Sequence, residues 1–330
     1  MEQHTPRQRA VGSRRTADGR SEGSRPGRLA RRPRVLVWTV CAAVLAVALA
    51  GGFFSTAEAR TTAAATGFIT GSPGAGGSSS PSAGPNASAP ATAPAAAIDA
   101  ALDSKINAIL EANSQYQIGV ALRDVSSGAG SANDVHEYGV RDAFVAASTA
   151  KVLAAAAYYH LVETGTATLD DPLGAYTSGF QLREMIQQSD NDSWSLIMNA
   201  VGHAELTNYA ASIGVDYDPE TNTLTPAEMA TILAGVYSGT LLNAEDTAQL
   251  LSYMQDTNYE TLIPAAVPDG ITVFHKYGLL NAELHDVGIL TQGGTAYALV
   301  IYTKGAGLSD DPERTEVIHQ ITQTVAGALF

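Results

Sequence analysis

The sequence predicts an α+β domain, with an antiparallel sheet flanked by helices and an all-helical subdomain inserted, preceded by a membrane segment and a disordered linker. Strand-like segments fall into two groups, one near residue 120 and one after residue 270. Helical periodicity fills the interval between these groups. The order helix, strands, helices, strands, helix therefore indicates one sheet that is built from both ends of the domain.

The first 97 residues divide into three segments of different composition. Residues 1–34 contain ten arginines and three acidic residues, a charge of +7, and the rest of the 330-residue chain carries −21, which gives the net charge of −14. The apolar segment 35–54 is long enough to cross a bilayer, and the basic segment before it predicts a cytoplasmic N-terminus. Residues 55–97 are rich in Ala, Gly, Ser and Pro, which is typical of a disordered linker.

The fate of the apolar segment is left open. The small residues 57-AEA-59 suit cleavage after Ala59 and secretion, whereas the long basic head favours an uncleaved anchor in the cell membrane. Either way, residues 98–330 are expected to lie outside the cytoplasm. We expect no nucleic-acid partner, because the basic head precedes a membrane segment and the outer domain is acidic.

Local patterns predict each element of residues 98–330. The predicted helices are 98–112, 148–163, 180–187, 193–201, 203–213, 225–237, 243–255 and 311–329, and the predicted strands are 115–125, 135–140, 270–277, 284–290 and 295–303. Gly202 and Gly214 are expected to end helices. Thr225 before Pro226 has the pattern of an N-cap followed by proline at the first helical position.

The composition offers no disulfide, metal or cofactor site. The single cysteine, Cys41, lies in the apolar segment, so packing must stabilise the domain. The seven histidines are dispersed, and His285–Asp286 lacks partners at ligand spacing. We therefore expect a monomer without metal or cofactor.

A lysine in an alanine-rich run is the first candidate for chemistry. In 143-AFVAASTAKVLAAAAYYH-160, Lys151 follows Ser148 by three positions, so the two share one helix face. In one interpretation Lys151 snorkels, with its stem on the apolar surface and its ammonium group in water. In the other, a desolvated Lys151 is the general base for Ser148 as the nucleophile.

Two further motifs turn this pattern into a family resemblance. The triplet 189-SDN-191 interrupts helical sequence, and 275-HKYG-278 ends the first strand after the insert. Ser-x-x-Lys, Ser-Asp-Asn and Lys-x-Gly in this order resemble the motifs of class A β-lactamases and penicillin-binding serine hydrolases. The likeness extends over residues 98–330, and it implies the fold of that family.

The resemblance also implies a role for each motif residue. Ser148, Lys151 and Ser189 are the implied catalytic residues: nucleophile, general base and proton relay to the leaving nitrogen. The implied substrate-binding residues are Asn191, Lys276, Tyr277 and Gly278. Lys276 would attract a substrate carboxylate and help to keep Lys151 unprotonated. Backbone N–H groups of Ser148 and Leu279 would hold the oxyanion.

The sequence departs from the family pattern in its helical insert and omega loop. Only 41 positions separate Ser148 from Ser189, so the insert is trimmed. The omega loop is reduced to 214-GVDYDPETNTL-224, in which Asp218 or Glu220 would have to replace the family's deacylating glutamate. Because Pro226 follows so closely, a loop of the usual path is not expected, which argues against that role.

A third departure is Tyr277, which stands where the family has threonine or serine. A phenol can still donate a hydrogen bond to a carboxylate, but from farther away, so Tyr277 is expected to narrow the site.

Three functions remain open on the sequence alone. The leading hypothesis is an extracytoplasmic serine hydrolase that forms an acyl-enzyme with a β-lactam or a D-Ala-D-Ala-type amide. One alternative is a D,D-peptidase or penicillin-binding protein that acts on peptidoglycan stem peptides and deacylates slowly. The other is a non-catalytic wall-binding module. Tyr277 and the short loop favour it, and four retained motif residues oppose it: Ser148, Lys151, Ser189 and Lys276.

Overall fold

The computed structural model describes residues 97–128 and 134–330. Within them no helix is long and apolar enough to span a membrane. The predicted basic head 1–34, the predicted membrane segment 35–54 and all but the last residue of the predicted linker 55–97 lie outside the described residues.

The described residues form an antiparallel sheet with helices on both faces and a helical insert, as predicted. The helices are α1 (Ala100–Ala112), α2 (Lys151–Glu163), α3 (Ser178–Gln187), α4 (Asn191–Val201), α5 (His203–Ser212), α6 (Pro226–Tyr237), α7 (Ala244–Tyr253), α8 (Ile263–Ala266) and α9 (Asp311–Leu329). The longer strands are β1 (Gln117–Asp124), β2 (His136–Gly139), β7 (Thr272–Leu280), β8 (Glu283–Gln292) and β9 (Thr295–Lys304). Short pairs are formed by β3 (Phe144–Val145) with β6 (Thr223–Leu224), and by β4 (Pro172–Leu173) with β5 (Tyr176–Thr177).

The sheet order β2-β1-β9-β8-β7 joins the two ends of the domain. Strand β1 pairs antiparallel with β9, so the first strand of the chain closes against the last. Strand β7 lies at one edge and pairs only with β8, with Lys276 opposite Val287 and Gly278 opposite His285. An edge strand keeps one side free of sheet pairing, and β7 uses this edge to line the site described below.

Two apolar cores stabilise the two faces of the sheet. On one face, α1 and α9 cover the sheet through residues such as Leu102, Ile106 and Ile321. On the other face lie α2 and α6, and the remaining helices of the insert pack around α2. Residues 151–159 of α2 are all buried, as expected for a helix that is apolar on every side. The charged Lys151 at its start is therefore inside the protein.

Helix α6 begins with the N-cap that the sequence predicted. The Thr225 hydroxyl accepts a hydrogen bond from the backbone N–H of Glu228, and the Glu228 carboxylate accepts one from the N–H of Thr225. This capping box satisfies two N–H groups that a helix start would otherwise leave unpaired. It fixes the point at which the short loop after α5 joins the core.

Candidate active site

A strained turn presents Ser148 at the start of α2. Residues 147–150 form one turn of 3₁₀-helix, rather than the α-helix predicted from Ser148, and Ala147 has a φ of +50°. Residues other than glycine rarely adopt this φ, so surrounding contacts must hold Ala147 in this conformation. The Ala146 N–H donates to the Asn222 carbonyl at 2.8 Å, and the Asn222 side-chain amide donates to the Ala147 carbonyl at 3.1 Å. The loop before α6 thus holds the turn that carries Ser148.

The Lys151 ammonium group is enclosed by the Ser-Asp-Asn motif. Lys151 is 2% exposed, which rules out snorkelling. Its Nζ donates to the Ser189 carbonyl at 2.7 Å, to Asn191 Oδ1 at 2.9 Å and to Ser189 Oγ at 3.3 Å. Burial lowers the pKa of Lys151 to about 8, and the charge of Asp190 opposes that shift. Lys151 can therefore exchange a proton near neutral pH.

The geometry of the Ser-Asp-Asn motif comes from a turn between α3 and α4. Ser189 has a φ of +54°, and the Asp190 carboxylate caps α4 by accepting the Ser193 N–H at 2.7 Å. Because the chain reverses here, both the carbonyl and the hydroxyl of Ser189 point at Lys151. The first two motifs are therefore in direct contact.

Lys276, on β7, lies near Lys151 and has no exposed surface. Its Nζ donates to the Tyr277 carbonyl at 3.0 Å and lies 4.0 Å from the centre of the Tyr277 ring. Burial, and then the positive charge of Lys151, hold the pKa of Lys276 well below its usual value, while Asp286 acts in the opposite direction. The sequence predicted this repulsion with Lys151 as the residue that loses its proton. In the structure burial lowers the pKa of Lys151, and the repulsion acts on Lys276, the more deeply buried amine, whose neutral form it favours.

Gly278 brings the third motif against the nucleophile turn. A Cβ atom at this position would lie 3.1 Å from the Ala146 carbonyl oxygen and 3.1 Å from Thr149 Cγ2. A residue with a side chain would push β7 or the turn apart by a few tenths of an ångström, so glycine permits this close packing. Leu279, 38% exposed, follows directly, so its backbone lies beside the turn that carries Ser148. The three motifs meet at one place.

The Tyr277 side chain turns toward a loop that the sequence did not single out. Its hydroxyl donates to Asn258 Oδ1 at 3.0 Å, and its ring lies 4.8 Å from that of Tyr259. The predicted role of Tyr277 as a donor to a substrate carboxylate would compete with this hydrogen bond. No local pattern in the sequence indicates Asn258, because an Asn-Tyr pair in a loop has no distinctive signature.

The two acidic candidates for deacylation are both exposed on the short loop. One Asp218 carboxylate oxygen accepts the N–H of Glu220 at 2.9 Å, and Glu220 pairs with His203 at 2.8 Å. Neither side chain makes a hydrogen bond to Ser148 or Lys151 within the described residues. Their contacts stabilise the loop itself.

A buried ionic cluster next to Lys276 also escaped prediction. His275 lies between Asp286, at 2.9 Å from Nδ1, and Glu260, at 3.1 Å from Nε2. Burial alone would lower the pKa of His275, but the two carboxylates raise it to about 9. The sequence showed His275 and Asp286 only as separate residues, because the register of β7 against β8 brings them together. Within residues 97–128 and 134–330, no group of His, Cys, Asp and Glu is arranged to bind a metal ion.

Known proteins share this fold and its family pattern. The model of the beta-lactamase enzyme family matches residues 101–329. PBP-A, solved alone and in mutant form as an acyl-enzyme complex with penicillin G, is 24% identical with a TM-score of 0.62, and the match covers 69% of this chain and 96% of PBP-A. A β-lactamase from Desulfarculus baarsii is 24% identical (TM-score 0.60, 70% and 98% covered), and one from Xanthomonas campestris pv. campestris is 21% identical (TM-score 0.62, 70% and 98% covered). At these identities the solved structures establish a common fold.

Proposed function

The chain belongs to the beta-lactamase enzyme family and is a serine hydrolase that acts on amide bonds, and from this premise we propose that it works through an acyl-enzyme on Ser148. The acyl donor is a β-lactam or a D-Ala-D-Ala-type amide. Hydrolysis of the acyl-enzyme is slow. The domain acts outside the cytoplasm, held or exported by the segment 35–54.

The observation that carries this proposal is the environment of Lys151. A lysine that is 2% exposed, has a pKa of about 8 and donates to Ser189 and Asn191 has the properties of a general base. A purely structural lysine in this position would be unfavourable, because burying an amine costs desolvation free energy and adds no apolar contacts of its charged end to the core. Its position one turn from Ser148 gives it a nucleophile to activate.

The proposed acylation uses only residues of the three motifs. Ser148 Oγ attacks the amide carbonyl while its proton passes to Lys151 Nζ, and the new oxyanion rests on the N–H groups of Ser148 and Leu279. The C–N bond then breaks, and the proton held by Lys151 reaches the leaving nitrogen through the Ser189 hydroxyl, which lies 3.3 Å from Lys151 Nζ. The product is a Ser148 ester and an amine, which leaves when the donor is a D-Ala-D-Ala-type amide and stays attached to the acyl group when the donor is a β-lactam, whose ring opens.

Slow deacylation is proposed because, in the part of the chain that the structure describes, neither candidate carboxylate makes a hydrogen bond to Ser148 or Lys151. Hydrolysis needs a base that activates water, and the candidates Asp218 and Glu220 bond within the loop and to His203. A deacylating role for either of them requires the loop to rearrange. Their variants Asp218→Asn and Glu220→Gln are therefore expected to leave the lifetime of the acyl-enzyme unchanged, as measured by intact mass after removal of excess acyl donor.

The nucleophile can be tested with a neutral serine-reactive probe. We expect a fluorophosphonate to label the full chain at Ser148, as located by peptide mass spectrometry, and Lys151→Met to slow labelling by roughly a hundredfold or more. Labelling of another residue, or equal rates in the two proteins, would contradict the proposal.

A D,D-peptidase that deacylates slowly is the second candidate. The observation in its favour is that Asp218 and Glu220 are exposed and bonded to other groups. This candidate predicts release of D-alanine from a stem peptide ending in D-Ala-D-Ala, and absence of release counts against it. The non-catalytic wall-binding module predicts that Ser148→Ala keeps its affinity for wall fragments while the fluorophosphonate leaves wild type unlabelled.

A further inference from the structure

The lysine of the third motif, Lys276, is closed off from the site in which it would bind a substrate carboxylate. Lys276 has no exposed surface, although it stands on an edge strand next to the nucleophile turn. Its Nζ donates to the Tyr277 carbonyl and lies 4.0 Å from the centre of the Tyr277 ring. In this arrangement a carboxylate from solution cannot reach Lys276, and the Tyr277 ring is one of the groups that cover it.

The Tyr277 ring is held in place by a loop that crosses from the helical insert to the sheet. We call residues 256–260 the strap. Asn258 of the strap accepts the Tyr277 hydroxyl at 3.0 Å and donates its own side-chain amide to the Gln188 carbonyl at 2.9 Å. Gln188 directly precedes Ser189, so the bridge runs from one motif to the other. The phenol proton, which the sequence analysis assigned to a substrate carboxylate, is used within the protein.

The strap is anchored at both ends. On the side of the insert, the Asn258 N–H donates to the Gln187 carbonyl at 3.1 Å. On the side of the sheet, Glu260 accepts hydrogen bonds from Thr257 at 2.6 Å and pairs with the buried His275 at 3.1 Å. Tyr259 adds a ring contact to Tyr277. These contacts connect the strap to both the insert and the sheet, although Asn258 and Glu260 themselves are exposed.

The closed arrangement leaves a substrate carboxylate without a free partner at this site. A compact acyl donor with a carboxylate beside the scissile amide needs a cation or a free donor to replace the water that its charge loses. At this site the Lys276 Nζ and the Tyr277 hydroxyl already donate to protein groups, and the neutral form of Lys276 is favoured. The outer charge of the chain, −21 beyond residue 34, opposes such a substrate as well.

We propose that Tyr277 and Asn258 are specificity-determining residues that close off Lys276 from a substrate carboxylate. The enzyme then prefers acyl donors whose carboxylate is masked as a neutral ester or amide. This inference rests on the proposed function, since it concerns which donors acylate Ser148. The acyl transfer itself is unchanged, and only the group beside the leaving nitrogen differs.

A matched pair of acyl donors tests the preference. Benzylpenicillin and its methyl ester share the scissile amide and differ only at the carboxylate. The rate of Ser148 acylation by each is measured by intact mass on the full chain, and the ratio of acid rate to ester rate is compared between variants. This ratio cancels any general loss of activity that a substitution causes.

We expect the wild type to react with the ester at least as fast as with the acid. Tyr277→Thr should raise the acid-to-ester ratio at least about tenfold, the effect of one hydrogen bond to a charged group. Asn258→Ala, which releases the phenol but keeps the ring, should raise it by a smaller factor. Tyr176→Thr, which removes a 59% exposed tyrosine of the insert, is the matched control and should leave the ratio within about twofold.

Two results would overturn the inference: a wild-type enzyme that prefers the acid tenfold, or a ratio that Tyr277→Thr leaves unchanged. Fluorophosphonate labelling separates this failure from a failure of the proposed function. If Ser148 is labelled but no variant reacts with either penicillin, the specificity inference fails while the nucleophile stands. If Ser148 is not labelled and no variant is acylated, both fail.

Discussion

Lys151 is the residue whose protonation state controls the proposed acylation. Only its neutral form can take the Ser148 proton, and with a pKa of about 8 the neutral fraction increases as the pH rises through 8. We expect the acylation rate by the penicillin methyl ester to rise about tenfold from pH 7 to pH 9, as for a base with this pKa. The neutral donor keeps substrate ionisation out of the profile. A rate that is flat or falling over this range would contradict the role of Lys151.

His275 links stability to pH at the same edge of the sheet. Its pKa of about 9 is higher than the ordinary value of 6.5, so the imidazolium stabilises the fold fully below pH 6.5, and this contribution is lost as the pH rises through 9. A shift of this size corresponds to about 3 kcal/mol. We expect the free energy of unfolding in urea to fall between pH 6 and pH 9.5 in wild type, and to fall less by about that amount in His275→Gln.

The control for this experiment is His203→Gln, because the His203 side chain is 54% exposed and its partner Glu220 is exposed too. We expect it to change stability by less than about 0.5 kcal/mol and to keep the wild-type pH dependence. An equal pH dependence in wild type and His275→Gln would show that the cluster does not hold a charged imidazole.

At the level of single residues, the sequence could single out the motif residues but not their surroundings. The motifs of Ser148, Lys151 and Ser189 have fixed local spacings, and the structure places Lys151 Nζ within hydrogen-bond distance of Ser189. Asn258 contacts Tyr277 across 19 positions. Contacts of this kind depend on packing between separate elements, which no local pattern encodes.

Among the structural elements, the loop before α6 supports the nucleophile turn. Asn222 bonds to Ala146 and Ala147, and its Oδ1 accepts the Tyr217 hydroxyl at 3.0 Å. We expect Asn222→Ala to release the strained turn and slow acylation by roughly ten- to a hundredfold, since catalysis is sensitive to misplacement of about 1 Å. The measurement is the acylation rate set beside the free energy of unfolding.

Thr225→Ala is the matched control on the neighbouring element. It removes the α6 N-cap, which should cost about 1 kcal/mol of stability while the acylation rate stays unchanged. If the two variants slow acylation equally, general destabilisation explains the effect and Asn222 has no positioning role.

The elements differ in how far sequence could predict them. Long segments with clear periodicity were placed to within a few residues, for example α9, predicted from 311 to 329 and observed as Asp311–Leu329. The two-residue strands β3 to β6 were missed, because a strand of that length has no period to detect. The short α8 was missed for the same reason. The pairing of β3 with β6 matters most, since it brings the loop of Asn222 to Ser148.

At the scale of the whole molecule, charge should govern the encounter with substrate. The chain carries −14 overall and −21 beyond residue 34, so an anionic donor is repelled before it reaches the site. We expect kcat/KM for benzylpenicillin to rise severalfold as salt is added, because salt screens this repulsion. The methyl ester serves as the internal control and should show no such rise. A flat or falling series for the acid would remove the argument.

The overall architecture was predictable because both halves of the sheet have their own local signals and the insert lies between them. The antiparallel sheet and the helical insert match the prediction, and the family match over residues 101–329 agrees with it. The closing off of Lys276 by Tyr277 was not predictable from the sequence, because it depends on how the strap packs between α3 and β7. The sequence thus indicated the class of reaction, and the packing between elements is the basis for the proposed preference for donors with a masked carboxylate.

The central claim is that Ser148 forms a long-lived ester, and a time course of intact mass tests it most directly. The full chain and its Ser148→Ala variant are incubated with benzylpenicillin methyl ester, excess donor is removed, and both masses are followed. We predict an adduct of the whole donor on the wild type alone, which persists after the donor is removed. An adduct on both proteins, or none on the wild type, would contradict the account, and an adduct that vanishes as fast as it forms would contradict slow deacylation.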